Sequence, residues 1–134
     1  MEQKERIAIY IDGGNFHHLV LKKLGIQKIE FQRMREKGID VKLATDLIVG
    51  AVDDQYDTAI VVSSDADIVP AIDWIRYRFK KKIEYIGFSI IDASPEQNHT
   101  KPLQTLIGHS DVQRVFGASD LKSFVRPFVQ GISV

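Results

Sequence analysis

Apolar residues follow two rhythms along this chain. Short, largely unbroken apolar runs occupy Ile7–Ile11, Thr58–Ser63, Ile83–Gly87 and Val112–Phe116. Runs of that length suit strands of a parallel sheet buried on both faces. Between them, apolar residues return every three or four positions. Phe16, Leu19, Val20 and Leu24 outline one helix, with Gly25 as its stop. Leu43, Leu47, Ile48 and Ala51 form the buried stripe of a second, over Val41 to Val52. Ile68, Ala71, Ile72, Ile75 and Phe79 give a third a clear core face, with Pro70 tolerated in its first turn. Leu103–Ile107 suits a short helix, and Ser119-Asp120 can cap a terminal turn.

Strands alternating with helices imply right-handed crossovers and a doubly wound α/β sheet. One stretch departs from this rhythm. Between Gly25 and Asp40 there is too little chain for a strand, a helix and their loops. A trimmed crossover and missing residues both fit. No repeat, low-complexity stretch or linker divides the chain, so residues 1–134 read as one domain, with 124–134 as a C-terminal tail. That tail, Phe124 to Val129, is apolar enough to pack on the domain or on a second copy as a homodimer.

With 134 residues the chain buries about two-thirds of its unfolded surface. No apolar run approaches the ~20 residues of a membrane span, so no membrane partner is expected. The absence of cysteine excludes disulfides, thiolate chemistry and cysteine-ligated metals, and fits a cytoplasmic address. Eighteen basic and 18 acidic residues cancel, so net charge gives no sign of nucleic acid. Distribution changes that picture. Arg76, Arg78, Lys80, Lys81 and Lys82 form a basic run, a candidate phosphate track, and Arg33, Arg35 and Lys37 form another. A solvated helix end explains either run equally well. Trp74, Tyr77, Arg78 and Lys81 share the helix face opposite the core stripe, an arrangement that can stack and track a single strand, and that a half-buried helix face against the C-terminal tail explains equally well.

The chemistry lies where strands run into acid. Asp12 follows the first strand, and Asp65 and Asp67 follow the strand Thr58–Ser63. If these strands are neighbours where strand order reverses, the carboxylates meet at one rim, where open α/β sheets bind ligands. On extended backbone Asp65 and Asp67 would point the same way. Asp46, three residues after Leu43, lies at the edge of its helix's apolar stripe and within reach of that rim. Asn15 sits in the first helical turn, placed to ligate or to orient water. Two carboxylates about 4 Å apart repel by roughly 4 kcal/mol at an effective dielectric near 20. A hard divalent cation, Mg²⁺ or Mn²⁺, turns the same oxygens into ligands. Two such ions can flank an in-line displacement at phosphorus, and Gly13-Gly14 lets a phosphate approach the backbone. Simpler roles remain open: turn residue for Asp12, helix cap for Asp67 or Asn15, solvent-facing acid for Asp46, loop charge for Asp40. His17 and His18 adjoin the rim, but neighbouring helix positions face different ways.

These residues resemble an NYN domain, the PIN-like nuclease family also called LabA-like. The resemblance rests on Ile7-Ala-Ile-Tyr-Ile-Asp-Gly-Gly-Asn15, on Lys37-Gly-Ile-Asp-Val-Lys-Leu-Ala-Thr-Asp46, and on Tyr56–Ala71 around Ser63-Ser-Asp-Ala-Asp67. Lys82–Gly87 and Gly108–Phe116 are similar to the family pattern too. Where the family commonly has Ser-Gly-Asp-Ser-Asp-Phe this chain has Ser-Ser-Asp-Ala-Asp-Ile, which keeps both acids. The resemblance implies a PIN-like three-layer α/β/α sandwich with a mostly parallel sheet. It also implies a Mg²⁺- or Mn²⁺-dependent ribonuclease acting on single-stranded or structured RNA. Carried over by position, the metal-binding acids are Asp12, Asp46, Asp65 and Asp67, with Asn15 in support and Asp40 less directly engaged. Two other functions compete. One is an RNA-binding adaptor whose acidic pocket does no chemistry. The other is a receiver-like or phosphatase-like domain with Asp12 as phospho-acceptor, although no Asp stands two residues beyond it.

Overall fold

The computed structural model of the protein describes residues 2–12, 39–90 and 100–121, with the backbone alone at 39 and 40. The expected Gly13-Gly14 turn, the helix over 16–24, the short 25–38 segment and the apolar tail lie outside the described residues.

Four strands form one sheet: β1 (Ile7–Ile11), β2 (Thr58–Val62), β3 (Lys82–Ser89) and β4 (Val112–Gly117). Their spatial order is β1-β2-β3-β4, and every pairing is parallel. The helices are α1 (Ile39–Val52), α2 (Val69–Phe79) and α3 (Gln104–His109), with a 3₁₀ turn over Ala66–Ile68 ahead of α2. When strands follow one another across a sheet and each crossover is right-handed, all crossover helices land on the same face. The packing agrees. Leu43, Leu47 and Ala51 of α1, Ile72 and Ile75 of α2, and Leu106 of α3 share one core with Ala59, Val61, Ile83 and Tyr85 of the sheet. The fold is therefore α/β on a parallel sheet, consistent with a PIN-like fold. Among the described strands, order never reverses, so the expected doubly wound switch point is absent there. Among the described residues the helices pack on one face of the sheet, and the expected helix over 16–24 lies outside the described residues.

Alternation decides which strand positions are buried. Ala8 and Tyr10 pack against the core, whereas Ile7, Ile9 and Ile11 on the opposite face are 57, 62 and 54% exposed. The expectation of burial on both faces does not hold for β1 among the described residues.

Helix α1 ends in a Schellman arrangement. Gln55 N–H donates to Gly50 O at 2.8 Å, Asp54 N–H donates to Ala51 O at 3.2 Å, and Asp54 takes the left-handed position at φ 53°. An aspartate stands where glycine is usual. Its carboxylate is held by Arg6 and Lys81. The chain then turns into Tyr56, which is fully buried and donates its hydroxyl to Leu47 O at 2.6 Å. Burial first, and then the neighbouring Tyr10, pushes the Tyr56 phenol pKa well above its ordinary value.

Candidate functional site

All crossovers leave from the carboxyl ends of the strands, so that rim collects the polar residues that follow each apolar run. Asp12 comes directly after β1. It is buried, and its N–H continues the ladder by donating to Val62 O at 2.9 Å. Ile11 is in register with Val62, so Asp12 stands beside the outlet of β2. The expected adjacency of the first two acidic strand ends is observed.

The loop from β2 is organised around its own acids. Strand β2 stops at Val62, and the buried Ser63 Oγ accepts the Asp65 N–H at 3.1 Å. Asp65 is extended (φ −96°, ψ 117°) and caps the 3₁₀ turn, its Oδ1 accepting from Asp67 N–H at 2.9 Å. Asp67 lies inside that turn and is exposed. The expectation that both carboxylates point the same way from extended backbone is thus corrected. The backbone coils between them, and Asp65 partly spends one oxygen on capping.

Asp46 sits midway along α1, which runs back down the sheet from the rim. Its carboxylate takes the Lys42 ammonium at 2.8 Å, one helical turn away, and is half-exposed. Its backbone oxygen accepts the Tyr10 hydroxyl at 3.5 Å. Burial first, then the Asp46 charge, raises the Tyr10 phenol pKa. Asp40 lies in the first turn of α1, at the rim end of that helix. Asn15, His17 and His18 lie outside the described residues. Among the described residues, no group of three or more His, Asp or Glu side chains is arranged to hold one metal ion. Sequence reasoning overlooked Ser63, Lys42 and Tyr10. The i,i+4 spacing of Lys42 and Asp46 was the one available signal, because such pairs meet on a helix face.

The basic run lies at the other end of the molecule. Lys82 opens β3 in register with Thr58, and Thr58 with Ile7, all first residues of their strands. Five strand residues at about 3.3 Å each put this end roughly 17 Å from the acidic rim. Three of its cations are already engaged. Arg76 pairs with Asp111 at 2.8 Å and donates to His109 O at 2.7 Å, and Lys81 pairs with Asp54. Lys82 approaches Glu84 at 3.5 Å. Among the described residues Arg78 and Lys80 have no ion-pair partner. The run does not adjoin the acids, because α2 carries its own C-terminus to the opposite end of the strands.

A sequence model of the NYN domain matches residues 6–105, three-quarters of the chain. This chain belongs to the NYN domain family. That family is nuclease-like and PIN-like, and the match contains Asp12, Asn15, Asp40, Asp46, Asp65 and Asp67. In the fold comparison, a crystallised Vibrio parahaemolyticus protein of unknown function superposes with a TM-score of 0.59 and 21% identity. The alignment covers 87% of this chain and 96% of that one, a likeness of fold alone. No curated protein matches the chain. Among the described residues no helix of this NYN domain is long and apolar enough to cross a membrane.

Proposed function

We propose that this NYN domain is a divalent-metal-dependent ribonuclease that hydrolyses RNA phosphodiester bonds at the carboxyl rim of its sheet. The observation that carries the reading is the buried Asp12 beside the outlet of β2, in a chain of a nuclease-like family. The donors offered there, Asp12, Asp65 and Asp67, are all carboxylates, which suits Mg²⁺ or Mn²⁺ and not a softer metal. Magnesium is commonly held by one or two carboxylates, with water and substrate phosphate completing its shell. Asp12 with Asp65 or Asp67 fits that count. Asp46 would join only by exchanging its Lys42 partner, and Asn15, three positions after Asp12 in the chain, would be the supporting residue.

When bound, the ion would neutralise the scissile phosphate and make water a better nucleophile at neutral pH. The chain's own part is to fix oxygens in place. Burial and the ladder bond to Val62 O limit the motion of Asp12. Ser63 and the cap on Asp67 N–H fix Asp65. Asp67, exposed at the head of α2, is open to incoming substrate.

The test is RNA cleavage in Mn²⁺ by wild type, Asp12→Asn and Asp65→Asn, with Mn²⁺ titrated by calorimetry. Loss of both cleavage and saturable Mn²⁺ binding in the variants is expected. Full cleavage by the double variant would overturn the mechanism. One observation favours the adaptor reading: the Asp46 carboxylate is engaged by Lys42. Wild type that binds RNA but shows no saturable Mn²⁺ binding would establish that reading instead.

A further inference from the structure

Helix α2 presents an outward face that the core does not use. Opposite Ile72 and Ile75 stand Trp74, 46% exposed, and Tyr77, 70% exposed. Trp74 is braced by an edge contact with Phe79, ring centroids 4.9 Å apart at 65°. Arg78 is exposed on the same face, and Lys80 follows at φ 55°, where the helix ends. Below them a cavity of about 520 Å³ opens between Tyr77, Lys80, Lys82 and the Arg76–Asp111 pair.

Neighbouring exposed aromatics rimmed by charged residues are the kind of patch that marks an interaction surface. Here they alternate with cations that no described acid neutralises, the composition of a single-strand platform. We propose that this face binds single-stranded RNA: bases stack on Trp74 and Tyr77, while Arg78 and Lys80 hold successive phosphates. The inference rests on the nuclease reading for its choice of RNA, and adds where the strand runs. Helix α2 starts just after Asp65 and Asp67 and ends at the basic run. A strand lying along it therefore joins the acidic rim to the distant cations, several nucleotides from the cut. The same geometry makes length part of specificity. A dinucleotide reaches the rim without reaching Lys80, whereas a longer strand engages both ends.

Trp74 is the sole tryptophan of the chain, so its emission reports on this face alone. The experiment titrates unstructured oligouridylates of increasing length into the wild-type protein in EDTA, which prevents cleavage. A saturable change in emission is expected, strengthening with length until the strand spans α2. Tyr77→Ala should weaken binding by about tenfold, the loss of one stacked base. Arg78→Gln and Lys80→Gln should each lower the slope of log K against log salt by about 0.7. All three positions are exposed, so folding is preserved. RNA binding with unchanged emission, no RNA binding at all, or variants that bind as wild type does would overturn the track. The outcomes separate the two proposals. A silent tryptophan with metal-dependent cleavage that needs Asp12 removes the track and leaves the nuclease. A responsive tryptophan with cleavage that survives Asp12→Asn and Asp65→Asn does the reverse.

Discussion

Arg76 of α2 grips Asp111, the residue before β4, through Nη2–Oδ1 at 2.8 Å and Nε–Oδ2 at 3.2 Å. The same carboxylate accepts the Ile83 N–H at 2.8 Å, and Arg76 Nη1 donates to His109 O at 2.7 Å. One guanidinium thus ties α2, the end of α3 and the start of β3 together. Hydrogen bonds to charged groups contribute about 1.5–3 kcal/mol, less where solvent screens them. Arg76→Ala should therefore cost about 1–2 kcal/mol and lower the Tm by several degrees. Arg76→Lys should recover only part of this, since an ammonium cannot reproduce the fork. Thermal unfolding followed by circular dichroism checks both.

Acid should weaken the amino end of the sheet first. The Arg6 guanidinium, and then the Arg6 N–H, holds the Asp57 carboxyl down at about 2. Asp54 is lowered by Lys81 first and by Arg6 second. For Asp111 burial is the largest single influence and acts upward, but Arg76 and the Ile83 N–H together outweigh it and the net shift is downward. Each folded-state pKa lies below its unfolded value of about 3.9, so the unfolded chain binds more protons. The stability these groups contribute is present above pH ~4 and is lost as pH falls towards 2. The Tm should hold between pH 7 and about 5 and then drop. Arg6→Ala should make the drop shallower, because Asp57 then titrates nearly alike in both states. An unchanged acid slope in that variant would contradict the assignment.

The elements themselves were legible in the chain, because their signals are local. Ile7–Ile11 is a strand as read, and the α1 stripe of Leu43, Leu47 and Ala51 is buried as its spacing implies. Where reading failed, the deciding partner was distant. Lys81 meets Asp54 across 27 positions and Arg76 meets Asp111 across 35, so a run that looks uniformly basic is half neutralised. The rim shows the same division. That Asp12 adjoins the outlet of β2 followed from two apolar runs ending in acid. That Asp65 turns back to cap Asp67 did not, because the 3₁₀ turn over Ala66–Ile68 has no periodicity to betray it.

Gly50 marks a close approach between α1 and two tyrosines. A Cβ there would stand 2.6 Å from the Tyr10 hydroxyl and 2.8 Å from Tyr56 Cε1. Alanine gains about 1 kcal/mol of helix propensity over glycine, while overpacking a filled core costs about 1–3 kcal/mol. Tyr10 can swing outward, but Tyr56 is fully buried and anchored on Leu47 O. The steric term should win. Gly50→Ala is expected to destabilise by about 1–2 kcal/mol in denaturant unfolding, with an unchanged m-value. A stabilised protein would mean that helix and sheet are free to separate here.

Asp65 has two separable duties, and two substitutions divide them. Its Oδ1 caps Asp67 N–H, and as a proposed ligand it brings negative charge to the rim. Asparagine caps as well as aspartate, because its carbonyl accepts the same hydrogen bond. Asp65→Asn should therefore leave the Tm within about a degree of wild type while abolishing Mn²⁺-dependent cleavage. Asp65→Ala removes the cap as well and should cost a further ~0.5–2 kcal/mol. If Asn preserved cleavage and Ala lost it, the residue would be a positioning group that acts through the turn, and the metal would have to be held by Asp12 and Asp67. If Asn and Ala lost cleavage equally while only Ala lost stability, the charge itself would be the catalytic requirement.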